Sequence, residues 1–173
     1  MPSGWPWGWR PSQWPSPSKT EPYPVAGVPT APSTATFVKD TAQTDMFEIQ
    51  SGKLAGQRGN PATRKLATQL VKDHQKTTAE LKGLIAMGAV KASLPKELST
   101  GEELMLTKLT NLQGDQFSAT YVNDMENVHT QAISEFNSYA QAGDNSVLKE
   151  WAARTLPTLK RHRDMAGAMD MPH

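Results

Sequence analysis

Four side chains in this sequence combine useful chemistry with an unusual placement: Glu48, His74, His129 and His162. Each falls near the middle of a stretch with helical periodicity, on or beside its apolar stripe. His74, for example, continues the series Leu66, Leu70, His74, Leu81. Ionisable groups in an apolar interior are costly unless they are paired or bind a metal. One carboxylate and three imidazoles offer oxygen and nitrogen donors for one divalent transition-metal ion, Fe, Zn, Mn or Cu, without choosing among them. Glu126, which forms Glu126-x-x-His129, is a further candidate ligand. The alternative is a hydrogen-bonded polar layer in which each His is held by Asp73, Tyr121 or a backbone carbonyl. A second grouping, His162, Met165 and Met169 on one helix face with Met171 and His173 following, carries donors that favour Cu(I). Methionine at that spacing is more often core filler.

To converge, these residues need four helices crossing at one height. The pattern predicts the first over about Thr36–Arg58, with Phe37, Thr41, Phe47/Glu48 and Leu54/Ala55 inward. Its Gly52 and Gly56, beside Ser51 and Ala55, form a small-residue surface for close approach of a neighbour. Asn60 and Pro61 suit the cap and first position of a second helix, which runs to about Gly88. Residues 89–113 form a long connection in which Ser99 and Glu102 read as a capping box. That box opens a short helix with Leu104, Leu106, Leu109 and Leu112. A third long helix spans about Asp115–Gln141, with Phe117, Tyr121, Met125, His129, Phe136 and Tyr139 inward. A fourth spans about Val147–Met169, with Leu148, Trp151, Thr155, Leu159, His162 and Ala166 inward and Pro157 interrupting it. The long connection lets the third helix run parallel to the second. Counted from the connecting turns, Glu48 and His74 differ in height by ~6 Å, and His129 and His162 by ~4–5 Å. Convergence is within reach of a Glu side chain.

Composition narrows the function. The chain has 173 residues and nearly balanced charge, 18 Lys+Arg against 17 Asp+Glu, which gives no support for a nucleic-acid partner. It has no cysteine, so disulfides, thiolate metal sites and a Cys nucleophile are excluded. No apolar run approaches the ~20 residues of a membrane-spanning helix. No Gly-rich phosphate loop or Ser nucleophile motif is present, so a non-enzymatic role is expected. The first thirty-six residues hold nine of the thirteen prolines and four of the five tryptophans. Residues 1–35 therefore read as a disordered, polyproline-like arm, and 36–170 as the bundle. The arm is either a ligand for an aromatic-lined groove, an interfacial anchor, or an extension from a misassigned start. It has no recognisable signal peptide.

Several segments, in this order and spacing, resemble a widespread bacterial family of secreted or outer-membrane proteins of unknown function. They are Phe47-Glu48 with Gly52-Lys53-Leu54-Ala55, Leu66-Ala67 with Val71-Lys72-Asp73-His74, and Leu94-Pro95. Gly114-Asp115-Gln116-Phe117 with Tyr121, Met125 and His129, and Leu156-Pro157-Thr158-Leu159-Lys160-Arg161-His162, complete the set. The resemblance implies an all-α fold, a ferritin-like four-helix bundle whose long crossover carries a short helix. It also implies a periplasmic or cell-envelope location with an envelope partner, and it leaves the oligomeric state open. The rival expectation is a ferritin-like metalloenzyme acting on iron or peroxide. Di-iron centres of that type need Glu-x-x-His on two helices. Here Val71 precedes His74 at that offset and Leu159 precedes His162, which favours a mononuclear site.

Overall fold

In the computed structural model, which describes residues 30–169, the chain is all-helical. Five helices follow in order: α1 (Thr34–Arg58), α2 (Pro61–Ala86), α3 (Thr100–Thr110), α4 (Gly114–Ala142) and α5 (Ser146–Gly167). The Pro/Trp-rich segment 1–29, Met171 and His173 lie outside the described residues, so the reading of an arm and the tail end of the Met/His grouping do too. The boundary drawn after residue 35 falls inside α1. That helix starts two residues before Thr36, because Ser33 caps it by accepting a hydrogen bond from the Thr36 N–H.

The other starts follow the expected capping chemistry. Asn60 accepts from the Thr63 N–H, with Pro61 at the first position of α2. Ser99 and Glu102 exchange the two bonds of a capping box at α3. Asn145 accepts from the Leu148 N–H at α5. The start of α4 has no side-chain cap; Gly114, at φ +56°, turns the chain into it in a conformation other residues rarely adopt.

Contacts at the two ends fix the topology. The Asn60 N–H, at the start of α2, bonds to Ser118 in the first turns of α4. Asn145, before α5, bonds to the Ala89 carbonyl just beyond α2. Thr34 bonds to Asp144. α1 and α2 are thus antiparallel, as are α4 and α5, and α4 runs parallel to α2. The crossover makes this possible, with α3 packed on α1 and α4. Arg58 pins the end of α3 by donating to the Leu112 carbonyl. Of the four leucines expected in this short helix only Leu109 is buried, Leu104 faces solvent, and Leu112 falls beyond its end. A short helix laid on the outside of a bundle has only one narrow face to cover.

The small-residue surface on α1 is half used. A Cβ on Gly52 would lie 2.5 Å from Val71 Cγ2, so α1 and α2 touch there because residue 52 has no side chain. Gly56 faces open space.

The core comes in two apolar halves. One gathers Phe37, Leu81, Phe136, Tyr139, Trp151 and Leu159. The other gathers Phe47, Leu66, Leu70, Phe117, Tyr121 and Met125. The predicted inward residues of α4 and α5 are buried, the apolar ones in these two halves, and α5 continues through Pro157. Between the halves lies a polar layer.

Candidate metal centre

That layer is built by one donor from each long helix. Glu48 comes from α1, His74 from α2, His129 from α4 and His162 from α5, and all are at most 3 % exposed. His74 Nε2 lies 3.0 Å from Glu48 Oε2, and His129 Nε2 lies 3.4 Å from Glu48 Oε1. His129 Nε2 is also 3.4 Å from His74 Nε2 and 3.2 Å from His162 Nδ1. One ring nitrogen from each of the three histidines lies within 4.8 Å of the others.

The outer side of each ring is held by an acceptor. His74 Nδ1 is 2.7 Å from Asp45 Oδ1, which also receives the Thr77 hydroxyl. The other Asp45 oxygen receives the Thr78 hydroxyl. His162 Nε2 is 2.8 Å from Asp73 Oδ2. His129 Nδ1 is 2.7 Å from the Met125 carbonyl. A carbonyl only accepts, so His129 Nδ1 carries the hydrogen and Nε2 turns its lone pair inward. Carboxylates on the outer nitrogens of His74 and His162 favour the same arrangement. Outer acceptors of this kind fix ring orientation in metal sites.

The electrostatics agree. Burial opposes a charge on Glu48, but His129 and His74 outweigh it and hold the carboxyl below its usual range. Burial likewise works against a proton on His74, yet the Glu48 charge and the Asp45 contact prevail and raise its pKa to about 10. Burial pushes His129 down and pushes His162 down to about 4. The layer therefore holds one positive charge on the ring nearest Glu48 and leaves the other two rings neutral. The protonated His74 ring presents its Nε2–H to Glu48 Oε2 at 3.0 Å, while Glu48 Oε1 has no hydrogen-bonded donor. A buried carboxylate oxygen without a donor is a place that a water or a cation can fill.

The spacing comes near that of a four-coordinate ion on four of its six edges, the two edges to Glu48 falling on different carboxylate oxygens. Ligand atoms ~2.0–2.1 Å from a tetrahedral metal lie ~3.3–3.4 Å from one another. Four separations in the cluster, 3.0, 3.4, 3.4 and 3.2 Å, are close to that edge. The His74–His162 edge, at most 4.8 Å, needs to close by up to about 1.4 Å.

Glu126 is not brought to the cluster. Its carboxylate lies against Gly167, where an added Cβ would meet it at 3.2 Å. Tyr121, expected as a partner for a His, has its hydroxyl buried without any partner, and burial together with the Glu48 charge pushes its pKa well above normal. Asp73 does hold a His, namely His162. Asp45 is the residue sequence reasoning passed over. Its signal was its position three residues before Glu48, on the same face of α1.

Fold and layer together define an all-helical bundle with a buried histidine–carboxylate cluster. The chain belongs to the DUF4142 family, a domain of unknown function, whose family profile matches residues 20–169. No curated protein matches it. Among solved structures it is similar to one described as "putative secreted protein DUF305 from Streptomyces coelicolor". That likeness has a TM-score of 0.66 at 14 % identity and covers 79 % of this chain and 89 % of the other. At such identity it speaks for the fold alone. No helix among the described residues is long and apolar enough to cross a membrane.

Proposed function

We propose that the protein is a non-enzymatic metal-binding bundle of the cell envelope, holding one divalent transition-metal ion on Glu48, His74, His129 and His162. The observation that carries this is the inward convergence of three imidazole nitrogens, each ring held from behind, with a buried carboxylate beside two of them. Four protein donors fill a tetrahedral shell, and such closed shells characterise structural rather than catalytic sites. The exclusion of solvent from all four supports the same reading. The envelope location rests on the family resemblance and on the secreted description of the structural neighbour.

The test is metal analysis of protein purified without a His tag, repeated on His74→Ala. Near-stoichiometric metal in the parent and its loss in the variant are expected. Clearly substoichiometric metal in the parent after reconstitution would leave a purely structural polar layer.

A ferritin-like metalloenzyme handling iron or peroxide is the second reading. One observation favours it: a cavity of about 20 Å³, room for one water, touches His74 and Asp45. Its walls include Thr41 and Glu135, each with a buried oxygen lacking a partner. Oxygen consumption on adding Fe(II) would select this reading; its absence in metal-loaded protein selects the binder.

A further inference from the structure

The cluster is sealed on almost every side, so an ion must have a way in. The three groups that hold the rings from behind differ in exposure. The Met125 carbonyl is inside α4, and the Asp45 side chain is only 4 % exposed. The Asp73 side chain is 17 % exposed, the most open of the charged groups touching the cluster. Asp73 opens onto a cleft of about 300 Å³ between α2 and α5, whose walls include Thr158, the cations Lys76, Arg154 and Arg161, and Glu80, which pairs with Lys76. The other cavity beside the cluster has room for a single water and is closed partly by Phe136 and Leu159.

We propose that the α2–α5 cleft is the port through which a divalent cation reaches the cluster, with the Asp73 carboxylate as its landing point and Arg161 as its cover. The inference rests on the metal reading above and adds the route. Asp73 Oδ2 contacts His162 Nε2 at 2.8 Å, while the other nitrogen of that ring, Nδ1, faces His129 at 3.2 Å. A cation on Asp73 is therefore one imidazole ring away from the centre. Arg161 Nη2 lies 3.4 Å from the same Asp73 oxygen, and its side chain is 53 % exposed. An exposed pair at that distance holds weakly, so an arriving cation displaces the guanidinium easily. Local deformation of α5 is built in as well. Pro157 has no N–H to donate, so the turn before Thr158, Arg161 and His162 lacks one backbone hydrogen bond.

Loading kinetics test the route separately from the site. Apo protein is mixed with Co(II) in a stopped-flow instrument and followed by the visible absorption of the bound ion, and affinity is measured by chelator competition. Thr158→Trp fills the cleft and replaces none of the four donors. It should slow loading and release together by about tenfold or more, leaving one ion bound at unchanged affinity. Lys53→Trp, exposed on α1, serves as the control for an added tryptophan. Should circular dichroism show that Thr158→Trp does not fold, Arg161→Glu carries the test. It removes the cover and adds negative charge, and loading should accelerate by about tenfold. If the folded variant loads at the parent's rate with one ion bound, the port is overturned and the site stands. If the parent itself binds no Co(II) or Zn(II), both the port and the metal site are overturned.

Discussion

His129 is the hub of the cluster, within 3.4 Å of Glu48 and His74 and 3.2 Å of His162. His129→Ala is therefore the most informative single change. An ion that binds only the folded state at a thousand times its Kd stabilises it by about 4 kcal/mol. For a chain of this length each kcal/mol moves the melting temperature by about 2–4 °C, so zinc should raise the parent's Tm by about 8–16 °C. Losing a ring support alone costs ten- to a hundredfold in affinity, and losing a donor costs at least as much. At the same free zinc a hundredfold loss leaves about 1.4 kcal/mol, a third of the original effect. The zinc-induced shift of His129→Ala should thus fall to about 3–6 °C or less. The variant also loses a buried ring and the donor to the Met125 carbonyl, which lowers its Tm without metal. The deciding quantity is therefore the difference with and without zinc, measured by calorimetry on each protein. If the variant gains as much from zinc as the parent, the ion does not sit on His129 and the coordination argument is wrong.

Other outcomes follow from the same geometry. Because His74 holds a proton to about pH 10, zinc binding at pH 7 should release it; calorimetry in two buffers of different ionisation enthalpy would show no buffer dependence if this is mistaken. Without metal, that raised pKa contributes stability that is full below His74's unfolded value near ~6.5 and is lost as pH rises through about 10. Burial, with Asp40 nearby, lifts Glu135 to about 7. A carboxyl raised in the fold favours folding at low pH and loses that advantage between its unfolded value near ~4.3 and its folded one, so Glu135→Gln should gain stability over the parent above pH 7 and not below pH 4. Equal urea midpoints of the two proteins at pH 8 would count against this. Gly52→Ala must push Val71 aside and should cost about 1–3 kcal/mol. Gly56→Ala meets nothing and should stabilise by up to about 1 kcal/mol. Denaturant titration of both variants checks the contrast.

Periodicity made the four long helices and their inward faces legible, and capping chemistry located most of their starts. The convergence of Glu48, His74, His129 and His162 was legible for a simple reason. Residue counts from the turns give heights, and apolar stripes give direction. What sequence does not carry is the partner across a helix pair. Asp73 was recognisable as a possible support, but that it holds His162 on α5 depends on how α2 and α5 are set together. Asp45 looked like an ordinary polar residue because its burial comes from Thr77, Thr78 and His74 closing over it. Glu126 shows the reverse. A spacing motif put it near His129, while its side chain follows the groove toward Gly167. Leu104 belongs to the leucine-bearing short helix that sequence predicts, but it faces solvent there.

The position of the polar layer argues that it is there for something other than stability. It separates two apolar halves that would otherwise join into one core. Buried ionic groups can often be replaced by apolar residues of similar shape with neutral or favourable effect. What four converging donors provide, and apolar residues cannot, is a cross-link through an ion. Each long helix contributes one donor and α3 contributes none, so an ion would tie α1, α2, α4 and α5 at a single height. Native-state hydrogen exchange should register this directly. On adding zinc, amides around residues 45–48, 71–74, 126–129 and 159–162 should slow together, while those of α3 change little. Protection confined to one pair of helices would mean a two-donor contact at the bundle's side. In that case the ring-held geometry around Glu48 would be a hydrogen-bonded layer with no ion at its centre.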